Sequence, residues 1–391
     1  MDKTILRQIC RSLDLIPLFN MSGLPLVVAT SILAIAVLTT CEAGEATLAA
    51  STSGWIKARE NEAPSNTLYD QCITEDAVFT VGSCMLSQEC SLLGGSASGS
   101  CAQGLGTCCI VKKSCNSEAT LNNTYFVSGK TVTGACTLFV RKSSEDICQL
   151  RLDFVEFHIS QPDADGHCTA DFMTVEAEAG NIVPTICGSN NGQHMYVDFA
   201  PFGEVIEVIV DISVPDPSTA WKIQVSQIPF NSTSKAPDDC LQYHTETAGV
   251  VKGFNFDGQG DVLDTRQIAH LNYGVCVKKA PGYCGIIWTR DQQPGNYSFT
   301  VSNDVAATSP DFIGTPAASS TGDSCLSDYV VIPEGVTDEG VQADRYCGLG
   351  FPNQVLSTAA PFTLHVRTDG DEGLDGGNQG FQLRYRQTTI C

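Results

Sequence analysis

Along the chain, apolar residues recur at every second position in short runs. Cys148, Leu150, Leu152 and Phe154 share one face, as do Cys284, Ile286 and Trp288, then Phe362, Leu364 and Val366, and finally Phe381, Leu383 and Tyr385. A period of two places such side chains on one side of an extended strand. The Gly, Pro, Asn and Asp residues between the runs supply turns. No segment sustains a helical period. The pattern predicts an all-β protein of short antiparallel strands, folded as two tandem β-sandwiches. One segment departs from it. An uncharged run reaches back to Leu15 and is strongest from Leu24 to Leu38, preceded by Lys3, Arg7 and Arg11 and followed by Cys41-Glu42-Ala43. This reads as a secretory signal over residues 1–43, cut after Ala43. An uncleaved signal anchor is the alternative, since a run of that length spans a bilayer. No later stretch is apolar for long enough to span, so no membrane insertion is expected after cleavage.

The rest of the chain divides by cysteine and turn spacing. Residues 44–71 are polar and mixed and read as a flexible leader. Residues 72–109 carry six cysteines (72, 84, 90, 101, 108 and 109). About forty residues bury too little apolar surface to fold alone, so crosslinks must stand in for a core. Six cysteines allow fifteen pairings, and the adjacent Cys108 and Cys109 are expected to take different partners. The glycine-rich stretch from Gly94 to Gly99 lacks the Gly-Lys-Ser/Thr of a phosphate loop and reads as a plain loop. Beyond this block four landmarks occur twice in the same order. Cys136 to Leu150 answers to Cys276 to Ile286, Cys168-Thr-Ala-Asp171 to Cys325-Leu-Ser-Asp328, Cys187-Gly188 to Cys347-Gly348, and Trp221–Val225 to Phe381–Tyr385. The order implies a duplicated unit, over residues 115–230 and 240–391, with 231–239 as a polar linker.

Composition fixes the compartment. Lys and Arg number 22 against 44 Asp and Glu, a net charge of −22, which argues against nucleic acid and anionic lipid as partners. The 19 cysteines are too many for a reducing cytosol and point to a secreted, extracellular protein. Losing Cys10 and Cys41 with the signal leaves an odd number. Asn122, Asn231 and Asn296 open Asn-X-Ser/Thr sequons in expected loops and are candidate glycosylation sites.

The two units resemble CUB domains. In the first, the likeness rests on Cys115, Cys136, Cys168-Thr-Ala-Asp-Phe-Met-Thr-Val175 and Cys187-Gly188. In the second it rests on Cys240, Cys276, Cys325-Leu-Ser-Asp-Tyr-Val-Val331, Cys347-Gly348 and the closing Phe381-Gln-Leu-Arg-Tyr385. The chain is similar to secreted arthropod proteins that carry CUB domains, in segments such as 185–197 and 265–274, and its six-cysteine block is clip-like. The resemblance implies bonds Cys115–Cys136, Cys168–Cys187, Cys240–Cys276 and Cys325–Cys347, each worth roughly 3–4 kcal/mol in the chain-entropy picture. Cys284 and Cys391 then pair in the second unit. Cys148, the counterpart of Cys284, finds no cysteine at Phe230. It is either a buried unpaired thiol packed against Phe230 or the half of an intermolecular bridge.

Many CUB domains hold calcium through a Glu, the Asp of Cys-x-x-Asp and an Asp after a late strand, and a hard cation needs several such oxygens. The second unit supplies Asp328, Asp369 and Asp371, with Glu372 and Asp375 beyond. Ser320 stands where the Glu would be, and Asp323 or Asp311 is a substitute. In the first unit Asp171 is present, Ser160 replaces the Glu and Asp211 aligns loosely as the third ligand. The alternative is a solvated acidic loop. No protease nucleophile segment, Gly-x-Ser-x-Gly or His-Glu-x-x-His occurs, and the six histidines show no ligand spacing, so no catalytic residue is expected. The reading is a secreted, non-catalytic recognition or adhesion glycoprotein. It would bind a protein or glycan partner through CUB loops, with calcium in the second unit. An accessory or regulator of extracellular proteolysis or innate immunity, acting through the clip-like block, and a structural matrix component are the competing readings. The loop from Asn303 to Asp323 is expected to be either a specificity loop or disordered.

Overall fold

A computed structural model describes residues 71–391 apart from 130, 178–182, 214–215, 258–264 and 373–374. The expected signal and all but the last residue of the expected leader lie outside the described residues.

The head consists of β1 (Gln71–Ile73), β2 (Val81–Met85), helix α1 (Ser87–Leu92), β3 (Ser96–Cys101) and β4 (Gly106–Lys113). Its interior is largely sulphur. Cys72 bonds Cys108, Cys84 bonds Cys101 and Cys90 bonds Cys109, around the fully buried Met85. This is how so short a segment holds together without an apolar core.

The first sandwich contains β5 (Ser117–Ala119), β6 (Thr124–Val127), β7 (Gly134–Arg141), β8 (Ile147–His158), β9 (Asp171–Ala177), β10 (His194–Asp198), β11 (Val205–Ile212) and β12 (Ala220–Pro229). One sheet runs β6-β12-β8-β10 and the other β5-β7-β11-β9. The second sandwich contains β13 (Cys240–His244), β14 (Ala248–Lys252), β15 (Asn272–Val277), β16 (Gly285–Arg290), β17 (Phe299–Thr300), β18 (Ser319–Thr321), β19 (Tyr329–Val331), β20 (Val336–Thr337), β21 (Arg345–Gly348), β22 (Val355–Ser357), β23 (Phe362–Arg367) and β24 (Gly380–Thr388). Its sheets run β14-β24-β16-β22-β20 and β13-β15-β23-β19-β21-β18. With the additional β17, β18, β20 and β21 set aside, the strand order of the two sandwiches is the same. The alternating residues fill the space between sheets as the period of two requires. Leu150, Leu152 and Phe154 from β8 meet Val208 and Val210 from β11, and Ile286 and Trp288 from β16 meet Leu364 from β23, all fully or nearly fully buried.

Not every strand pair is antiparallel. β5 runs parallel to β7, β13 to β15, and the head's β4 to β6, with Val111 opposite Thr124 and Lys113 opposite Phe126. The last pair makes the head a continuation of a sandwich sheet. The Tyr125 hydroxyl donates to Val81 O (3.0 Å) and accepts from Val81 N (3.2 Å), and the Phe79 ring meets the Tyr125 ring edge-on.

The sandwich disulfides are Cys115–Cys136, Cys168–Cys187, Cys240–Cys276, Cys284–Cys391 and Cys325–Cys347. Cys148 is unpaired and buried, its Sγ 3.5 Å from Ile228 O, and burial pushes its thiol up from the ordinary value. Phe230 does not pack over it as expected, since that ring is 62% exposed. The segment between the sandwiches is also less free than its polar composition suggests. The Gln149 carboxamide accepts from Ala236 N (2.9 Å) and donates to Ala236 O (3.3 Å). The 303–323 loop is folded rather than disordered, with Val305 and Ile313 packed against Leu349.

Candidate functional site

The Cys325–Cys347 bond fixes the approach to β19, and Asp328 stands just before that strand. β23 ends alongside, so the next loop brings Asp369 to it. Asp369 N donates to Asp328 Oδ1 at 2.7 Å. Asp328 is completely buried and its Oδ2 receives no N–H or hydroxyl donor, with the Asp375 carboxyl within hydrogen-bond reach of the group. The same loop delivers Glu372, 1% exposed, whose Oε2 accepts from Gln267 Nε2 at 3.0 Å. It also delivers Asp375, whose Oδ1 accepts from Asn303 N. Burial pushes the Asp328 carboxyl well above the usual carboxylate range, and the charges of Asp369 and Asp375 add to the shift. Burial and the neighbouring Asp328 push Glu372 up to about 9. Two buried acids, Asp328 and Glu372, thus lie beside the part-buried Asp369 and Asp375, and burial disfavours the charged form of both.

The donor set is of the kind that calcium takes, hard carboxylate oxygens including one with no partner. Among the described residues no group of three or more His, Cys, Asp or Glu side chains already stands in metal-holding geometry. Of the expected ligands, Asp328 and Asp369 are brought together. Asp371 is exposed, its N–H bonded to Asp369 Oδ1 at 2.9 Å. Ser320 lies in β18 opposite Cys347, and Asp323 and Asp311 are exposed. The buried glutamate of the pocket is Glu372. Its place among glycines gave no sign of burial. Only its position a few residues past the end of an alternating strand hinted at a loop that could fold back.

The matching corner of the first sandwich is different. Asp171 is equally buried, but Ser160 donates to its Oδ2 from both N (3.1 Å) and Oγ (2.6 Å), and Ser213 N donates to its Oδ1 at 2.9 Å. Ser160 and Ser213 thus satisfy this carboxylate directly. Asp211 lies in β11 opposite Phe172.

The acidic pocket adjoins the contact between the sandwiches. Glu372 N donates to Asp165 O (3.4 Å) and Ala269 N to Gly166 O (2.9 Å). Gly166 has φ +81°, and a Cβ there would stand 2.4 Å from Glu372 Cγ. Farther along the contact, buried Asn255 accepts from Ser189 N and donates to Asn190 Oδ1, both at 2.8 Å. Gln193 Nε2 donates to Gly253 O at 3.1 Å, and Tyr243 N donates to His194 Nε2 at 3.0 Å. Histidines that looked scattered meet here in pairs: His194 with His244, ring centres 5.1 Å apart, and His167 stacked on His270 at 5.4 Å.

Of the candidate glycan sites, Asn122 and Asn231 fall on turns and Asn296 opens a short 3-10 helix. Asn231 and Asn296 are exposed, and Asn122 is half-buried between β5 and β6. Among the described residues no helix is long and apolar enough to cross a membrane.

Residues 237–388 match the animal CUB domain family, so the second sandwich is a CUB domain. Among solved structures the chain is similar to the CUB1-EGF-CUB2 domains of rat MASP-1, at 11% identity over 69% of this chain and 100% of that one, with a TM-score of 0.24. It is also similar to the CUB1-EGF-CUB2 domain of human MASP-1/3 (12% identity, 68% and 95% of the two chains, TM-score 0.24). A third is the full extracellular region of zebrafish Gpr126/Adgrg6 (10% identity, 69% and 36%, TM-score 0.24). No curated protein matches. The CUB domain and the many disulfides support an extracellular binding role in general terms.

Proposed function

We propose that the protein is a secreted, non-catalytic recognition glycoprotein that uses a calcium site in the second sandwich to order its partner-binding loop. The observation that carries this reading is the buried Asp328 carboxylate with an oxygen left unbonded beside Glu372, Asp369 and Asp375. Leaving such an oxygen unsatisfied costs about 1–3 kcal/mol or more. A divalent cation removes that cost, together with the repulsion among the acids. Asp328 and Asp369 would hold the ion with help from Glu372 or Asp375, and the ion would supply positive charge and loop order. The ordered acidic loop would then offer a basic side chain on a protein partner a bidentate target. The first sandwich, with the same strand order, is read as a second CUB-like module whose site has been replaced by serine bonds. Extracellular modules of this sort bind calcium at about 10⁻⁴ to 10⁻³ M. Calorimetry of the secreted full chain should show one calcium site in that range, lost in Asp328→Asn and kept in Asp171→Asn. Absence of binding at millimolar calcium would remove the calcium part of the proposal.

A further inference from the structure

We infer that the second sandwich carries an anion pocket, walled by the inserted 303–323 loop, that takes an acidic side chain of a protein partner. The pocket goes beyond the calcium reading and does not depend on it. It has a volume of about 430 Å³ and opens where three segments meet. The end of β16 and the turn beyond it bring Arg290, Asp291 and Gln293, the inserted loop brings Gly314 and Pro316, and the turn after β21 brings Phe351 and Asn353. Arg384 reaches it from β24, where it stands opposite Thr289 of β16. That volume falls in the range of small-ligand sites.

Two guanidinium groups carry the inference, and each is fixed from one side. Asp291 is 1% exposed. Its Oδ1 accepts from Arg384 Nε (2.8 Å) and Gln293 N (3.1 Å), and its Oδ2 accepts from Gln382 Nε2 (2.7 Å). Burial raises the Asp291 carboxyl, but these bonds outweigh it and hold the group below its ordinary value. The acid is therefore charged at neutral pH and spends both oxygens on its neighbours. Arg290 Nη1 donates to Gly295 O (2.6 Å) and Ser298 Oγ (2.9 Å). Among the described residues nothing accepts from the two Nη atoms of Arg384 or from Nη2 of Arg290. A guanidinium held along one edge offers the other as a rigid fork, which matches a carboxylate bidentately. In a chain of net charge −22, Asp291 is the only acid of the lining.

The insertion forms a fixed wall. Gly314 N donates to Leu349 O (2.7 Å), and Gly314 has φ +80°, with a Cβ there 2.3 Å from Asn296 O. Gly350 approaches the loop as closely, since a Cβ there would stand 2.0 Å from Thr315 O. These contacts seat the loop against the sandwich. The lining also favours a peptide over a sugar. Its one aromatic ring, Phe351, is 1% exposed and packs on Phe299 and Tyr346, so no ring face is open for a sugar to stack on. The exposed Gln292 and Asn353 supply amide donors and acceptors that a peptide backbone can meet.

The test is fluorescence anisotropy of dansyl-labelled tetraglutamate with the full secreted chain, in chelator so that calcium plays no part. Tetraglutamate should bind, and tetraglutamine should not. Arg384→Gln and Arg290→Gln should each weaken binding by at least about tenfold, the loss expected for a charged hydrogen-bonded pair. Arg384→Lys keeps the charge but not the fork and should weaken binding by about threefold or more. That variant decides the matter if a glutamine variant fails to fold by circular dichroism. Arg386→Gln removes an exposed charge of the same strand outside the pocket, and should change binding by less than about twofold in salt that screens it. Asp328→Asn should bind the peptide as the wild type does, which keeps this outcome separate from that of the calcium site. Equal binding of tetraglutamate and tetraglutamine, or as large a loss in Arg386→Gln as in Arg384→Gln, would overturn the pocket. Tighter binding of a hyaluronan tetrasaccharide, whose carboxylates are carried on sugars, would overturn the protein partner.

Discussion

Asp171 opens β9 and Asp328 stands just before the matching β19, yet one is satisfied and the other is not. Ser160 and Ser213 surround the first with donors, whereas the second is raised by burial with the charges of Asp369 and Asp375 beside it. The Cys-x-x-Asp spacing located both aspartates in the sequence. It could not show which neighbours a distant loop would bring, and that decides between a hydrogen-bonded carboxylate and a cation ligand. A second residue-scale feature was hidden for the same reason. Gly188 follows a cysteine landmark, but only the folded chain shows that it has φ +74° and that a Cβ there would stand 1.9 Å from Asn255 Oδ1. Gly188→Ala should therefore break the Asn255 bridge between the sandwiches and destabilise the protein by more than about 2 kcal/mol. Urea unfolding would measure this, and a loss within about 0.5 kcal/mol would mean the bridge contributes little.

The strands themselves were legible. Alternation along Cys148–Phe154 and Phe381–Tyr385 placed β8 and β24, because period two follows directly from the pleat. The direction of pairing was not, since parallel and antiparallel neighbours bury the same alternating face. The β4–β6 pair is the consequential case. Read alone, the six-cysteine block is a separate module. In the fold its last strand covers the edge of β6, with Tyr125 keyed into the head through Val81. An uncovered edge is a template for pairing between molecules. Deleting residues 72–113 should expose the β6 edge and give self-association in size-exclusion chromatography with light scattering. A stable monomer would show that the head is dispensable to the sheet.

Two sandwiches could be read from the sequence, but their mutual contact could not. A polar linker gave no sign of such a contact, and the chain buries Asn190, Gln193, His194, Gln242 and Asn255 between them. Polar residues far apart in sequence give no sign that they will satisfy one another. The two histidines also make this contact sensitive to pH. Burial lowers His194 to about 3 and His244 to about 4, with Arg151 nearby adding to both shifts and Tyr243 N–H bonded to His194. A base whose folded value is depressed binds fewer protons than in the unfolded chain. Stability is therefore lost as pH falls from about 6.5 towards 4. Hydrogen exchange at the Tyr243 amide should speed up over that window at fixed intrinsic rate, and His194→Gln should weaken the dependence. Exchange that does not vary with pH there would remove the histidines from the account.

The proposed calcium site is tested most directly by thermal unfolding of the full chain in 10 mM calcium and in chelator, about ten to a hundred times the expected dissociation constant. Ligand linkage then amounts to roughly 1.4–2.7 kcal/mol, a rise of several degrees in Tm. The wild-type chain and Asp171→Asn should both show that rise, and Asp328→Asn should not. A wild-type midpoint that is the same in calcium and in chelator, or an equal rise in Asp328→Asn, would contradict the account.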